Sequence, residues 1–304
     1  MYDVIIIGAG PAGLTAAVYL RRADKNVLVL EKETFGGQIT HSPKVENYPG
    51  FVSMTGSELG DRLMEQVMAQ GAELELDAAV SIEGTPGDYT VKGERGDYKA
   101  KAVIIAVGSE HRKLGLPKED KFTGEGISYC AVCDGAFYAC KEVAVIGGGN
   151  SALQEAVMLS KLCTKVTVVQ NLAFVTGEPK LKEDLDSKDN VSFLFSTVVK
   201  EIKGEDKFEG IVLQNTETGE ESLLTCDAVF VCIGQKPMNE PFKANVSLNE
   251  YGYINADESC LPENAEEGIF VAGDCRSKRI RQVATAVADG AVAGLAAASF
   301  TDRV

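Results

Sequence analysis

Histidine is scarce in this sequence of 304 residues, which contains only His41 and His111. Eight cysteines are present, but only Cys130 and Cys133 form a closely spaced pair, separated by two residues. A zinc site would need a second pair of cysteines or histidines at ligand spacing, so this alternative is disfavoured and no metal is expected. The pair is therefore predicted to be a redox-active dithiol. Cys140, close to it in the sequence, is expected to be a buried thiol.

Long apolar runs and an excess of positive charge are also missing. No apolar run approaches the roughly 20 residues that span a bilayer. The chain opens directly into an apolar strand, without the basic segment that begins a signal peptide. We therefore expect a cytoplasmic protein whose cysteines are mostly reduced. The formal net charge of −15 argues against nucleic acid and anionic membranes as partners.

The N-terminal segment carries a glycine-rich signature between a strand and a helix. Asp3–Ile7 is an apolar run typical of a buried strand, and Leu14–Arg22 is predicted to be a helix. A second strand, Asn26–Leu30, ends at Glu31, where an acid can bond a ribose hydroxyl. The signature itself consists of Gly8, Gly10, Pro11, Ala12 and Gly13. Because such glycines let a pyrophosphate approach the helix N-terminus, a dinucleotide site is predicted rather than a merely structural turn.

The same pattern returns in the middle of the chain. Glu142–Ile146 is a predicted strand and Leu153–Leu162 a predicted helix, and the residues between them keep the form G-x-G-x-x-A. The residues assigned to this second loop are Gly147, Gly149, Asn150 and Ser151. Gln170 stands where the first copy has Glu31. The second copy is predicted to bind a dinucleotide, and the alternative is a fold that kept its loop and lost its ligand.

The order of these elements predicts an α/β protein with two Rossmann-like three-layer nucleotide-binding domains, the second inserted in the first. The first domain is expected to comprise 1–112 and 242–304, and the second 113–241. The segments His111–Pro117 and Gly234–Pro241 are expected to be the linkers, and thus candidate hinges.

Smaller elements follow from local signals. Ser57 is expected to cap the helix that begins there. Two separate strands are expected at 98–101, in an antiparallel meander, and at 102–107. The segments 35–40 and 45–50 have the composition of ordinary connecting loops.

Taken together, these motifs resemble those of the low-molecular-weight, bacterial-type thioredoxin reductases over essentially the whole chain. The Cys-Ala-Val-Cys-Asp run at 130–134, placed inside the second nucleotide domain, is especially specific. The other matching segments are Gly8–Gly13, Gly36–Gln38, Glu46–Gly50, Gly147–Ala152, Gly273–Asp274 and Arg281–Gln282.

The resemblance implies that the first signature binds FAD, and it makes the two connecting loops part of that site. The further residues that it assigns to the FAD site are Gly37, Gln38, Asn47, Gly273, Asp274, Gln282 and Val283. It also implies a homodimer, and a second domain that rotates so that nucleotide and dithiol reach the flavin in turn.

The family's reaction assigns a role to each residue of the dithiol motif. A nicotinamide nucleotide reduces FAD, FAD reduces the disulfide, and the dithiol reduces a thioredoxin-type disulfide. The resemblance implies that Cys133 faces the flavin and that Cys130 attacks the substrate. It makes Asp134 the general acid–base, for which a raised pKa is needed. The position of Asp134 is also compatible with a helix N-cap.

The sequence departs from the family at 170–175, where NADPH-using members carry several arginines and this chain has none. Lys180 and Lys182 are candidate cations, but nothing in the sequence places them. Three electron donors stay open, namely NADPH, NADH and a ferredoxin, and we favour a nucleotide. Ferredoxins are acidic, so docking one would need a basic patch such as Arg276–Arg281, which is otherwise a solvated loop.

Two further function classes remain as alternatives. A flavoprotein that transfers electrons between ferredoxin and NADP shares the two-domain architecture but lacks the dithiol, so the two cysteines argue against it. A non-enzymatic FAD-binding redox sensor would keep the dithiol and would lack turnover.

Overall fold

The computed structural model describes residues 1–42 and 44–304, and the chain forms two compact units. The first unit is built from Met1–Glu110 and Lys236–Val304, and the second from His111–Gln235. The second unit therefore lies between the two segments of the first along the chain. The sequence predicts domain boundaries at 112/113 and 241/242. A division into compact units does not test where independently folding domains end, so these boundaries stay a prediction.

The two units contain seventeen strands, seven α-helices and four short 3-10 turns within the described residues. The strands are β1 (Tyr2–Ile7), β2 (Val27–Glu31), β3 (Glu73–Leu76), β4 (Ala79–Thr85), β5 (Asp88–Gly93), β6 (Asp97–Ile105), β7 (Ser109–His111), β8 (Ile127–Ser128), β9 (Glu142–Ile146), β10 (Lys165–Val169), β11 (Val191–Leu194), β12 (Thr197–Lys203), β13 (Gly210–Asn215), β14 (Glu221–Thr225), β15 (Ala228–Val231), β16 (Gln235–Pro237) and β17 (Ile269–Val271). The helices are α1 (Pro11–Arg22), α2 (Gly56–Ala69), α3 (Glu119–Phe122), α4 (Ala131–Asp134), α5 (Asn150–Leu159), α6 (Pro179–Asp186) and α7 (Val283–Thr301). The 3-10 turns are Gly37–His41, Gly135–Tyr138, Glu240–Phe242 and Gly273–Cys275.

The first unit is built on a mixed sheet with the strand order β3-β2-β1-β6-β5-β4, and β17 also pairs with β6. The pairs among β1, β2, β3, β6 and β17 are parallel. The pairs β4–β5 and β5–β6 are antiparallel. β6 is one strand where two were predicted. Its first half pairs with β5 and its residues 103–105 pair with β17, so a half-exposed part and a fully buried part belong to the same strand.

Side chains on alternate positions of this sheet enter two different cores. Val4 and Ile6 pack with residues of α1, α2 and α7. Ile5 and Ile7 pack on the opposite face, with residues of β4, β5 and the segment 242–275. The sheet is thus covered on both faces, as a nucleotide-binding fold with three layers requires.

The second unit repeats this plan with a parallel sheet of order β11-β10-β9-β15-β8. Val143 and Val145 of β9 pack with α5 and with Leu185 of α6. Ala144 and Ile146 face the antiparallel sheet β12-β13-β14. The prediction of an α/β fold with two Rossmann-like units is confirmed.

Helix α2 begins earlier than predicted. Thr55, not Ser57, is its N-cap, because the Thr55 hydroxyl accepts a 3.1 Å hydrogen bond from the N–H of Glu58. The Glu58 carboxylate in turn accepts the Thr55 N–H at 2.8 Å. This reciprocal pair is a capping box, and it leaves Ser57 inside the first helical turn.

Helix α7 qualifies the expectation about membrane-spanning length. It has 19 residues and is long and apolar enough to cross a membrane by length and composition. A single helix of this kind is weak evidence, because the core helix of a soluble protein passes the same test. Here Gly290 lies so close to α1 that a Cβ atom added to it would stand 2.1 Å from the carbonyl oxygen of Ala12.

Candidate active site

The two cysteines of the predicted dithiol form a disulfide at the start of a single helical turn. Cys130 is the N-cap of α4 and Cys133 is its third residue, which brings their Cα atoms to 5.3 Å. The turn begins just after β8, whose last residue, Ser128, accepts a 3.1 Å hydrogen bond from the Cys130 N–H. The N–H of Cys133 donates to the Cys130 Sγ at 3.2 Å. Because such a bond favours negative charge on the sulfur, the geometry suits a Cys130 thiolate after reduction.

Asp134 closes the same turn. Its Oδ2 accepts a 2.6 Å hydrogen bond from the Ser128 hydroxyl, while its Oδ1 is buried and has no hydrogen-bond partner within the described chain. Burial raises the pKa of Asp134, and the bond from Ser128 opposes that rise. The alternative in which Asp134 is an N-cap holds for its position only. Asp134 stands at the N-cap position of the 3-10 turn Gly135–Tyr138, but its side chain makes no capping hydrogen bond, and Cys130 is the N-cap of α4.

Two groups that the sequence analysis missed contact this turn or its neighbours. The Glu155 carboxyl, on α5, accepts hydrogen bonds from the N–H of Ala131 at 3.3 Å and from the Cys232 Sγ at 2.9 Å. Glu155 occupies the helical stripe of Ala152, Ala156 and Leu159, all of which are buried. A lone carboxylate within an apolar stripe is the signal that would have singled it out. No sequence signal identifies Cys232.

A second missed carboxyl, Glu119 of α3, joins the predicted linker to the dithiol segment. Glu119 is 2% exposed and accepts 2.8 Å hydrogen bonds from the N–H groups of Leu114 and Gly115. It also accepts the Tyr129 hydroxyl at 2.8 Å. Burial raises the pKa of Tyr129, and the Glu119 bond raises it further. The residue before Cys130 is therefore held by the segment that follows β7.

The other cysteines do not share the environment of the dithiol. Cys140 was expected to be buried, but it is exposed, at a left-handed backbone position after the 3-10 turn that follows α4. Burial raises the pKa of Cys226 and Cys275 to about 12 and that of Cys163 and Cys260 to about 11. These buried thiols are therefore unreactive near neutral pH.

The first glycine-rich loop lies between β1 and α1, as predicted. Gly13 packs so tightly on the loop that a Cβ atom there would stand 1.9 Å from the carbonyl oxygen of Gly8. Glu31, the last residue of β2, is buried, and its Oε2 accepts the N–H of Ala9 at 2.8 Å. Its Oε1 accepts the N–H of Glu33 at 3.0 Å. Each oxygen keeps a further lone pair, so the carboxylate can still accept a hydroxyl.

The structure brings further predicted residues to this loop. A Cβ atom on Gly37 would stand 2.9 Å from the Gly10 Cα, and one on Gly273 would stand 2.9 Å from the Ala12 Cβ. The neighbour of Gly273, Asp274, has a buried Oδ1 without a hydrogen-bond partner in the described chain.

The remaining residues assigned to the FAD site lie at or near the start of α7 or are exposed. Asn47 donates to the side chain of Gln282 at 3.1 Å, Val283 is the first residue of α7, and Gln38 is exposed. A glycine cradle at a helix N-terminus, an acid at a strand end and an unsatisfied buried acceptor fit a dinucleotide with free hydroxyls such as FAD.

The second glycine-rich loop is contacted by the segment that follows β10. The N–H groups of Thr176 and Gly177 donate to the carbonyl of Gly148 at 2.8 and 2.9 Å. The side chain of Asn150, the first residue of α5, accepts the N–H of Glu178 at 2.7 Å. Ser151 follows on α5 and is exposed. The predicted residues thus sit on one loop and helix start, against which residues 176–178 pack.

At the end of β10, where the family carries its arginines, the structure places the neutral side chain of Gln170. Gln170 is 4% exposed, and its amide donates to the carbonyl of Phe174 at 3.1 Å. Lys182 pairs with Asp186 and lies 4.2 Å from the centre of a phenylalanine ring, whereas Lys180 is exposed. A 2′-phosphate would therefore meet a neutral, inward-turned side chain at the end of β10.

The basic segment 276–281 is mostly engaged within its own unit. Arg276 is buried, with its Nε 3.3 Å from Asp289, and the Lys278 ammonium lies 2.9 Å from the same carboxylate. The Arg281 guanidinium stacks 4.1 Å from the ring centre of Tyr253. The alternative of a freely solvated loop is therefore wrong for these three side chains.

Comparison with known proteins adds to this geometry. The sequence model described as pyridine nucleotide-disulphide oxidoreductase matches residues 2–290. A thioredoxin reductase of Bacillus subtilis (strain 168) is 43% identical over 306 residues, which cover 100% of this chain and 96% of that protein. A 34.2 kDa protein in the rubredoxin operon of Clostridium pasteurianum is 41% identical over 299 residues, which cover 98% and 96%. The crystal structure of thioredoxin reductase from Streptococcus pyogenes MGAS5005 matches with a TM-score of 0.95 at 37% identity, covering 100% of this chain and 99% of that one.

Proposed function

The chain belongs to the pyridine nucleotide-disulphide oxidoreductase family, and on this premise we propose that it is an FAD-dependent thioredoxin-disulfide reductase. Electrons pass from NAD(P)H through FAD to the Cys130–Cys133 disulfide, and from there to the disulfide of a thioredoxin-type protein. The observation that carries the proposal is the disulfide on α4 with the buried carboxyl of Asp134 on the same turn. Similarity over the full chain to thioredoxin reductases supports the same substrate class.

The first unit is proposed to hold FAD. The loop from Gly8 to Gly13 suits the pyrophosphate, and the Glu31 carboxylate suits a ribose hydroxyl. The unpartnered Oδ1 of Asp274 offers a buried acceptor for a further hydroxyl. The other residues proposed for this site are Gly37, Gln38, Asn47, Gly273, Gln282 and Val283. When bound, FAD supplies the two electrons that open the disulfide.

The reduced pair then acts by thiol–disulfide exchange. The Cys130 thiolate attacks one sulfur of the partner disulfide, which breaks that bond and forms a mixed disulfide with Cys130. The departing partner sulfur takes a proton from Asp134. Cys133 gives its own proton back to Asp134 and attacks the Cys130 sulfur, so the internal disulfide forms again and the second partner thiolate leaves. The partner has gained two electrons and the dithiol has lost them.

Replacement of Cys133 tests this function. We expect Cys133→Ser to purify with FAD bound and to lose thioredoxin reduction, because a serine can neither close the internal disulfide nor release the mixed one. The matched control is Cys140→Ser, which removes an exposed thiol of the same unit and should keep wild-type turnover. Turnover by Cys133→Ser would mean that another pair carries the reaction.

The same measurement separates the reductase from a redox sensor. A sensor would cycle its disulfide with reductant and oxidant but would show no repeated turnover with a thioredoxin. Steady-state reduction of insulin through added thioredoxin therefore decides between the two functions.

Ferredoxin remains a second candidate for the electron donor. It is favoured by the neutral, buried side chain of Gln170 and by the packing of residues 176–178 on the second glycine loop. Two observations weigh against it: the net charge of −15, and the engagement of Arg276 and Lys278 with Asp289, which leaves them poorly placed to dock an acidic partner. We therefore propose NAD(P)H as the first candidate, bound at Gly147, Gly149, Asn150 and Ser151.

Anaerobic stopped-flow absorbance of the holoenzyme assigns the donor. The flavin band is followed after mixing with NADPH, NADH or reduced ferredoxin in separate runs. Rapid bleaching by a nucleotide supports the second glycine loop as its site. Bleaching by ferredoxin alone would mean that this loop has lost its ligand.

Location and assembly complete the proposal. We propose that the protein is located in the cytoplasm, where a thioredoxin-type partner is kept reduced. We also propose that it is a homodimer. Light scattering of the purified holoenzyme measures the assembly directly.

A further inference from the structure

Glu155 is a carboxyl in direct contact with the dithiol turn that no step of the proposed reaction uses. It lies on α5, and its Oε2 accepts the N–H of Ala131 at 3.3 Å. That N–H belongs to the peptide group that joins Ala131 to Cys130. The same oxygen accepts a bond from the Cys232 Sγ at 2.9 Å. Since Cys232 directly follows β15, one carboxyl oxygen links α4, α5 and the end of β15.

The described groups that act on this carboxyl are neutral or acidic. Within the described chain, no lysine or arginine is among the groups that act on Glu155 or on Asp134. Glu155 contacts the Cys232 thiol and the Ala131 N–H, and the charge of the Asp134 carboxyl also acts on it. Burial raises the pKa of Glu155 and the Asp134 charge adds to the rise, while the bonds from Cys232 and Ala131 oppose it.

The thiol of Cys232 keeps its proton and so always donates its hydrogen bond to Glu155. Burial and the neighbouring Glu155 hold the pKa of Cys232 well above its usual range, so its proton stays on sulfur. Glu155 is therefore the member of this pair that can change its charge, and it contacts the turn that carries the redox-active disulfide.

We propose that Glu155 is a positioning residue that acts through its charge on the ionisation of Cys130. This inference rests on the proposed disulfide reductase function. Two electrons that open the disulfide leave one negative charge on each sulfur. Cys133 takes one proton, and Cys130 remains a thiolate beside α4. Like-charge repulsion between that thiolate and an ionised Glu155 draws a second proton onto the Glu155 carboxylate, so reduction takes up two protons although only one goes to sulfur.

The test follows the Cys130 thiol alone. In Cys133→Ser holoenzyme, Cys130 is a free thiol, and its alkylation by iodoacetamide is measured against pH by mass spectrometry of the peptide that contains it. Glu155→Gln keeps a carbonyl oxygen for the Ala131 N–H and removes the charge. We expect the Cys130 titration to move to lower pH in Glu155→Gln, with alkylation at pH 6 about tenfold faster, the change that corresponds to one pKa unit.

Conservative variants separate charge from shape. Glu155→Asp keeps a carboxylate and should return the titration toward that of the parent protein. Cys232→Ala removes a bond that favours the ionised carboxylate, so it should shift the Cys130 titration in the same direction as Glu155→Gln, but less. Circular dichroism checks that each variant is folded.

The proposal fails if Glu155→Gln is folded and leaves the Cys130 titration unchanged, or if Glu155→Asp behaves as Glu155→Gln does. Both results would give Glu155 a purely structural role. Because the titration needs no thioredoxin and no electron donor, a negative result here is distinct from a failure of the proposed function, which shows as absent turnover in the wild-type protein.

Discussion

At the scale of single residues, Asp134 is the group whose chemistry follows most directly from its surroundings. Burial raises its pKa, so it keeps its proton to a higher pH than an ordinary carboxyl and can donate it to a leaving thiolate. As pH rises through that raised pKa, Asp134 loses the proton and the transfer slows. We expect Asp134→Asn to lower the rate of dithiol reoxidation by about 10²-fold, the low end for general acid–base catalysis, and to abolish this alkaline limb. Single-turnover stopped flow with oxidised thioredoxin measures both.

Ser128 offers a matched variant with a directional outcome. Its hydroxyl donates to Asp134 and thereby lowers the pKa of that carboxyl. Ser128→Ala removes the bond, so the alkaline limb should move to higher pH while the rate at low pH is largely kept. An unchanged limb would show that another group supplies the proton.

The residues of the site divide into those that lie together in sequence and those that the fold brings together. Cys130, Cys133 and Asp134 lie within five consecutive residues, so a short motif is enough to predict the dithiol chemistry. Glu155 and Cys232 reach the same turn from α5 and from the end of β15. Their contacts depend on how the parallel sheet orders its strands, and no local pattern in the sequence contains that order.

At the scale of elements, the close approach of α7 to α1 depends on glycine. A Cβ atom on Gly290 would stand 2.1 Å from the Ala12 carbonyl oxygen, so Gly290→Ala must push α7 away from the helix that follows the first glycine-rich loop. We expect a loss of about 2 kcal/mol in the free energy of unfolding, a typical cost of overpacking. We also expect weaker FAD retention. Chemical denaturation and the ratio of flavin to protein absorbance measure the two effects.

Ser299→Ala is the control for Gly290→Ala. Ser299 lies on the same helix and is exposed, and the substitution raises helix propensity without adding a contact. Its stability and flavin content should match the wild type. Equal stability of the two variants would contradict the tight packing of α7 on α1.

Elements were predictable where a local signal agreed with the tertiary environment. The strand–glycine loop–helix units at β1–α1 and β9–α5 have such signals, and both form. The sequence predicts two strands where the structure has β6 alone. The partner of β6 changes from β5 to β17 along its length, so its side chains are half-exposed in the first part and buried in the second. The predicted cap of α2 is wrong because serine is, as a residue type, at least as good an N-cap as threonine, which favours Ser57 over Thr55. Only the Thr55–Glu58 spacing completes the capping box.

At the scale of the whole molecule, the chain leaves the first unit and returns to it through neighbouring segments. β7 pairs with β16, and the N–H of Arg112 donates to the carbonyl of Gly234 at 3.0 Å. A sequence of turn-rich residues marks two linkers, but it does not show that they pair. The chain passes from the first unit to the second at 110/111 and back at 235/236. Both of these boundaries fall within the paired strands β7 and β16.

The second unit should therefore fold on its own as residues 111–235. Its two apolar cores draw all their described members from this range, and both of its sheets close within it. We expect the excised unit to show cooperative thermal unfolding by circular dichroism and to form the Cys130–Cys133 disulfide. The piece 113–241 is the comparison, because it loses the Arg112 bond to Gly234 and the ring contact of His111 with Tyr129. It should fold with a lower midpoint. A non-cooperative transition for 111–235 would mean that the unit depends on the rest of the chain, and that its two cores are not sufficient for a domain.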